Sequence, residues 1–171
     1  MGLITRVFEV LLSWPGRYHR HMATETRSSP QGTCAVNRLV PFVHVTDVEA
    51  SLSFYALLGF VTRHAMKDGR GHTFWALADS GKAEIMFARA DGPIDPEQQA
   101  VIFYMYSTDV AGLRRQLPAR GLHDGGAYCG GKGPNEGRNV AFEVAHPDYM
   151  QAGEVRVADP DGYCILIGQL E

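Results

Sequence analysis

Thr46-Asp47-Val48 returns 62 residues later as Thr108-Asp109-Val110, and Gly59-Phe60 returns at the same interval as Gly121-Leu122. Each copy follows an apolar, strand-like run and opens a segment with helical character. A strand-turn-helix phrase that recurs in register constrains the fold more than any single motif, because it marks a duplicated module. Two copies are too few for a solenoid, which needs three or more stacked units. The expected architecture is two related modules within 171 residues, a length that suits one domain or a close pair of small ones.

The same composition narrows the partners. A formal net charge of −3 gives no pull toward nucleic acid or an anionic membrane surface, and Lys and Arg cluster nowhere. Cys34, Cys129 and Cys164 make an odd count without a CxxC spacing. Free thiols in a reducing compartment are expected, and hence a cytoplasmic protein. No Cys/His pair has the spacing of a structural zinc site.

Residues 1–36 read as a tail, or as an over-long start with Met22 as the initiator. The apolar run from Val7 to Trp14 is interrupted by Glu9, stopped by Pro15 and too short to span a bilayer. Arg6 stands where a myristoylation signal at Gly2 would want Ser or Thr. Thr24 to Thr33 is linker-like, and the His19/His21 pair is weak grounds for a metal.

Periodicity then assigns elements. In the first module, residues 37–90, Leu39 to Val45 alternates as a strand. Asp47 caps a helix that Gly59 ends, and strands follow over Phe60–Met66, His72–Ala78 and Ala83–Ala88, with Asp79-Ser80-Gly81 as a turn. Asp91 to Glu97 joins the modules. In the second, residues 98–171, Val101–Tyr106 is a strand and Asp109 caps a helix to about Ala119. Leu122 to Gly137 is a long Gly-rich loop, and Asn139–Val144, Glu154–Ala158 and Tyr163–Ile167 are strands, the last preceded by the turn Asp159-Pro160-Asp161-Gly162.

Val45-Thr46-Asp47, the run Ser51 to Phe60 (SLSFYALLGF), Ala83 to Phe87 (AEIMF) and Asp159 to Leu166 (DPDGYCIL) together resemble the vicinal oxygen chelate superfamily. That superfamily includes glyoxalase I, extradiol dioxygenases, and fosfomycin- and bleomycin-resistance proteins. The resemblance covers about residues 38–170. It implies an α+β fold: two strand-helix-strand-strand-strand modules whose curved sheets enclose a ligand cup, with a helix on each convex face. In metal-using members, four cup residues hold one divalent ion. The resemblance places those positions at Val40, Ile102, Glu84 and Leu166, of which only Glu84 offers a metal ligand. No cofactor is therefore expected, although a divalent metal held by an unorthodox set of histidines stays open. Pro41 follows the vacant position Val40, and there the chain looks like the bleomycin-resistance branch. That likeness implies a homodimer that exchanges its opening strands.

With Val40 and Ile102 facing inward, period-two alternation turns Phe42, His44, Tyr104, Tyr106, Glu84 and Met86 into the cup. Val43, Val45, Phe103, Met105, Ile85 and Phe87 then face the helices. Aromatic walls with a few polar groups suit a small-molecule pocket. Each residue also has a plainer reading. Phe42, Met86 and Ile102 serve equally well as core, and His44 as a hydrogen-bonded strand end. Glu84 is solvated, paired with a cation or in contact with a ligand. Trp75 belongs to the pocket or to the sheet packing, and Tyr149 is a candidate lid in the loop His146–Gly153.

The expected function is metal-free binding and sequestration of a small, aromatic or cationic molecule. The alternative is a metal-dependent lyase, isomerase or dioxygenase of the glyoxalase type, or proton transfer by His44 and Glu84 if they converge. A closed dimerisation module is the third possibility.

Overall fold

The computed structural model describes Val36 and residues 38–171. The readings of the tail, of Val7–Trp14, of His19 and His21 and of Cys34 fall outside them. The chain divides into a unit ending at Leu39 and a unit Val40–Glu171. The second holds every regular element among the described residues.

Its first module runs β1 (Phe42–Val45), α1 (Val48–Leu57), β2 (Val61–Lys67), β3 (Thr73–Ser80) and β4 (Ala83–Arg89). The second runs β5 (Ile102–Ser107), α2 (Val110–Ala119), β6 (His123–Asp124), β7 (Val140–Ala141), β8 (Glu154–Ala158) and β9 (Cys164–Gln169). The sheets have orders β1-β4-β3-β2 and β5-β9-β8-β7-β6. In both, the opening strand lies parallel to the closing one and the inner neighbours are antiparallel. This is the expected α+β duplication.

The repeated phrases are the helix ends. Asp47 accepts from the Ala50 N–H at 2.9 Å, and Asp109 from the Gly112 N–H at 2.7 Å. Each carboxylate satisfies a donor that the first helical turn leaves without a partner. Gly59 sits at φ +90°, a conformation that a side chain disfavours. There the Phe60 N–H reaches back to Tyr55 O and the Gly59 N–H to Ala56 O. Leu122 and Gly121 bond back to Leu117 and Pro118 in the same way. Phe60 and Leu122 are buried just past these turns, the usual companion of this helix ending.

Alternation sorts the strands as expected. Val43, Val45, Ile85, Phe87 and Phe103 are buried, while Phe42, His44, Tyr104 and Tyr106 are exposed. The buried set packs against Val48, Phe54 and Tyr55 of α1 and Val110 and Leu117 of α2 in one core that both modules share. Tyr55, Phe60 and Phe87 pack ring to ring within it.

Several boundaries differ from the sequence reading. β1 begins at Phe42 rather than Leu39, because Pro41 has no N–H for the ladder; its carbonyl still accepts from Met86 N at 2.8 Å. Asp79 and Ser80 end β3 instead of forming the turn, since they pair with Glu84 and Ala83. Only Val140 and Ala141 of the expected strand Asn139–Val144 are regular; beyond them the Glu143 N–H turns to Gly126 O. The loop from Leu122 contributes β6 at the sheet edge.

The modules are stitched by the Asp159–Gly162 turn. Asp161 accepts from both the backbone N–H and the hydroxyl of Thr46, and the Tyr163 hydroxyl donates to His44 O at 2.9 Å. Asp159 is fully buried and accepts from the N–H groups of Asp161 and Tyr163 through Oδ1. Its Oδ2 and the Tyr55 hydroxyl are both buried without a well-formed hydrogen bond. Burial pushes Asp159 up to about 7, and the charge of Asp161 adds to the rise.

Candidate functional site

Phe42, His44, Trp75, Glu84 and Met86 lie on the concave side of the first sheet. Phe42 pairs with Met86, His44 with Ala88, and Trp75 stands across from Ala88 on one side and Met66 on the other. A cavity of about 530 Å³ opens here, lined by Phe42, Met66, Asp68, Phe74, Trp75, Ala88, Arg89 and Asp91. Trp75, ambiguous from sequence, is thus a cavity wall. Phe42 is 52% exposed and meets His44 edge to face at 5.7 Å. Asp68 is held below the ordinary carboxylate range by the His72 and Arg70 N–H groups, with Arg89 adding to the effect. Its Oδ2 accepts from Arg89 at 3.3 Å, which places an ion pair on the rim.

His44 and Glu84 do not converge along the sheet. His44 lies opposite Ala88, four residues from Glu84 on the same strand, or about 13 Å at ~3.3 Å per residue. Proton transfer shared by the two has no support in this arrangement. The ladders also correct one expected correspondence. Phe42 pairs with Met86 and its counterpart Tyr104 pairs with Leu166. Two residues earlier, Ile102 pairs with Cys164. The position matching Glu84 in the second module is therefore Cys164, and Leu166 matches Met86. Among the described residues no group of three or more His, Cys, Asp or Glu side chains is placed to hold a metal ion.

The concave side of the second sheet is more polar than expected. Tyr104 and Tyr106 stand side by side with ring centroids 5.3 Å apart. Glu154 and Arg156 project to this face from β8, because Val155 and Val157, which alternate with them, are buried in the core. The Tyr104 hydroxyl donates to Glu154 Oε2 at 2.7 Å and the Tyr149 hydroxyl to Oε1 at 3.1 Å. Burial and the carboxylate raise both phenols, Tyr149 to about 12 and Tyr104 further. The Arg156 guanidinium lies 4.1 Å from the centre of the Tyr128 ring and donates to Cys164 Sγ at 2.9 Å. Burial raises the Cys164 thiol, partly offset by Arg156, so this cysteine is not primed as a nucleophile.

Sequence reasoning missed Glu154, Arg156, Tyr128 and Met66. The alternation Glu154-Val155-Arg156-Val157 did carry the signal: two charged residues spaced by valines put both charges on the cup face. Among the described residues no helix is long and apolar enough to cross a membrane.

No protein-family model matches this sequence, and no curated protein matches it. Solved structures do. A bleomycin-binding protein complexed with bleomycin is 18% identical, with a TM-score of 0.58 over 80% of this chain and 100% of that one. A bleomycin resistance determinant encoded on the transposon Tn5 is 20% identical, with a TM-score of 0.59 over 80% and 99%. The bleomycin-binding protein from bleomycin-producing Streptomyces verticillus, complexed with copper(II)-bleomycin, is 20% identical, with a TM-score of 0.55 over 81% and 100%. The chain therefore has the bleomycin-resistance fold, the fold expected of the vicinal oxygen chelate superfamily.

Proposed function

We propose that this protein binds and sequesters a small aromatic or cationic molecule on its concave faces, without a metal and without transforming it. The observation that carries the reading is the exposure of large aromatic side chains where a core would bury them. Phe42 is 52%, Tyr104 40% and Tyr106 60% exposed, and the first of them borders the cavity shared with Trp75. Rings held rigidly on a sheet and left open to solvent supply stacking area at little conformational cost. Structures of the same fold contain bleomycin, which supports the class of ligand and leaves its identity open.

The metal-free part of the proposal rests on side-chain chemistry. Val40 and Ile102 occupy the opening-strand positions and have no lone pairs to give. A homodimer with exchanged opening strands is part of the same reading, supported by the edge position of β1 and by Pro41 ahead of it. Exposed Cys129 suits a reducing, cytoplasmic setting.

The test is thermal unfolding with a panel of bleomycin, planar cationic dyes and neutral polycyclic aromatics. A ligand present at about 100 times its Kd stabilises the fold by ~2.7 kcal/mol. At least one class should raise the melting temperature, and Phe42→Ala and Trp75→Ala should diminish that rise. A panel that leaves the melt unmoved, with wild-type protein fully folded, would refute the reading.

A further inference from the structure

We propose that the second concave face holds a subsite for the N–H donors of an organic cation, a protonated amine or a guanidinium, built from Tyr104, Tyr106, Tyr149 and Glu154. The proposal deepens the small-molecule reading and rests on it. Glu154 is only 6% exposed, yet each of its oxygens accepts a phenolic proton, from Tyr104 at 2.7 Å and from Tyr149 at 3.1 Å. A tyrosine hydroxyl has one proton to give. With both protons committed inward to the carboxylate, the two phenolic oxygens present only lone pairs to the cup. They can accept and cannot donate. Both rings reach solvent, Tyr104 at 40% and Tyr149 at 58% exposure, so a ligand can approach those lone pairs.

Charge selects further. The negative charge behind the hydroxyls makes their oxygens better acceptors and favours a positive donor over a neutral one. The exposed ring of Tyr106 leans on Tyr104 with an interplanar angle of 58°, and together they offer a bent aromatic wall to a cation. On the same strand face Arg156 directs Nη1 to Cys164, whose ladder partner is Ala158, while Glu154 pairs with Gly168 on the other side of Arg156. Gly168 makes the arrangement possible: a Cβ there would come within 3.1 Å of the Tyr104 hydroxyl and 2.8 Å of Met150 Cε.

Calorimetric titration of the full chain with three probes tests this. Phenethylammonium carries charge and N–H donors, phenethyltrimethylammonium carries charge alone, and 2-phenylethanol carries neither charge nor N–H. The expected order has phenethylammonium tightest, each of the others weaker by about tenfold or more. Tyr149→Phe, at an exposed loop, should remove about tenfold from phenethylammonium alone, and Glu154→Gln should abolish the preference over the neutral alcohol. Equal binding of the three probes, no binding of phenethylammonium, or an unchanged preference in Tyr149→Phe would overturn the subsite. If aromatic ligands still stabilise the protein through Phe42 and Trp75, that failure belongs to the subsite and not to the binding function.

Discussion

Replacing Asp159 by Asn should make the protein more stable above pH 7 while leaving it nearly unchanged below pH 4. The side chain is wholly buried between the modules, and Oδ1 accepts two backbone N–H groups that an Asn oxygen can also accept. Oδ2 faces no satisfied partner; an amide nitrogen there could donate toward the equally unsatisfied Tyr55 oxygen. The groups bearing on this carboxyl are Asp161, Tyr163, Tyr55 and the Gly162 N–H, and none brings a positive charge. Its folded value of about 7 lies above the ordinary 3.8, so the folded protein holds this proton where the unfolded chain has released it. Stability from this source is complete below pH 4, falls as pH rises, and is gone once pH passes 7. A displacement from 3.8 to about 7, at ~1.4 kcal/mol per pH unit, amounts to about 4 kcal/mol. Against typical stabilities of ~5–15 kcal/mol this is easily measured. Urea unfolding followed by circular dichroism at pH 4, 5, 6, 7 and 8 should show the variant gaining on the wild type up to about pH 7 and levelling off beyond it. Parallel stability curves for the two proteins across that range would mean that Asp159 ionises normally, and the account of the junction would fail.

Two further outcomes follow from the packing. Phe87 is fully buried against Tyr55, so Phe87→Ala should cost ~3–5 kcal/mol in chemical denaturation, whereas the exposed Phe42→Ala should cost less than ~1 kcal/mol. Gly168→Ala should destabilise by ~1–3 kcal/mol through overpacking against Met150 and should also weaken amine binding, because the methyl displaces the Tyr104 hydroxyl; an unaltered titration would argue against the tyrosine-carboxylate geometry.

Local chemistry made much of this fold readable. Asp47 and Asp109 announced helix starts, Gly59 announced a helix end that its repeat partner Gly121 shares, and alternation put Phe42, His44, Tyr104 and Tyr106 on one side and Val43, Val45 and Phe103 on the other. What escaped depends on neighbours distant in sequence. Period two tells which face Tyr104 occupies but not that its hydroxyl crosses β9 to Glu154, 50 residues on; the absent side chain of Gly168 permits that reach. The same limit applies to Cys164 and Glu84, whose equivalence appears only once the two ladders are in register. Trp75 was ambiguous because Phe74 beside it is apolar too, and here both border the cavity. The curtailed strand at Val140 reflects competition, with the Glu143 N–H taken by Gly126 in the glycine-rich loop.

The parallel pairing of opening and closing strands has a consequence for biosynthesis. Among the described residues β9 is the sole neighbour of β5 in the second sheet, so Ile102 to Ser107 wait for Cys164 to Gln169 before gaining that ladder. Loop closure over that span precedes its reward, which slows folding and leaves an apolar edge open meanwhile. The Asp159–Gly162 turn, which ties the second module to Thr46 and His44 in the first, arrives just ahead of β9. A ribosome that has made everything up to Ala158 therefore carries every strand of the first sheet, while β5 of the second still lacks its partner. During that interval the nascent chain is most exposed to pairing with the wrong molecule, and its fate turns on how quickly the last strand is delivered.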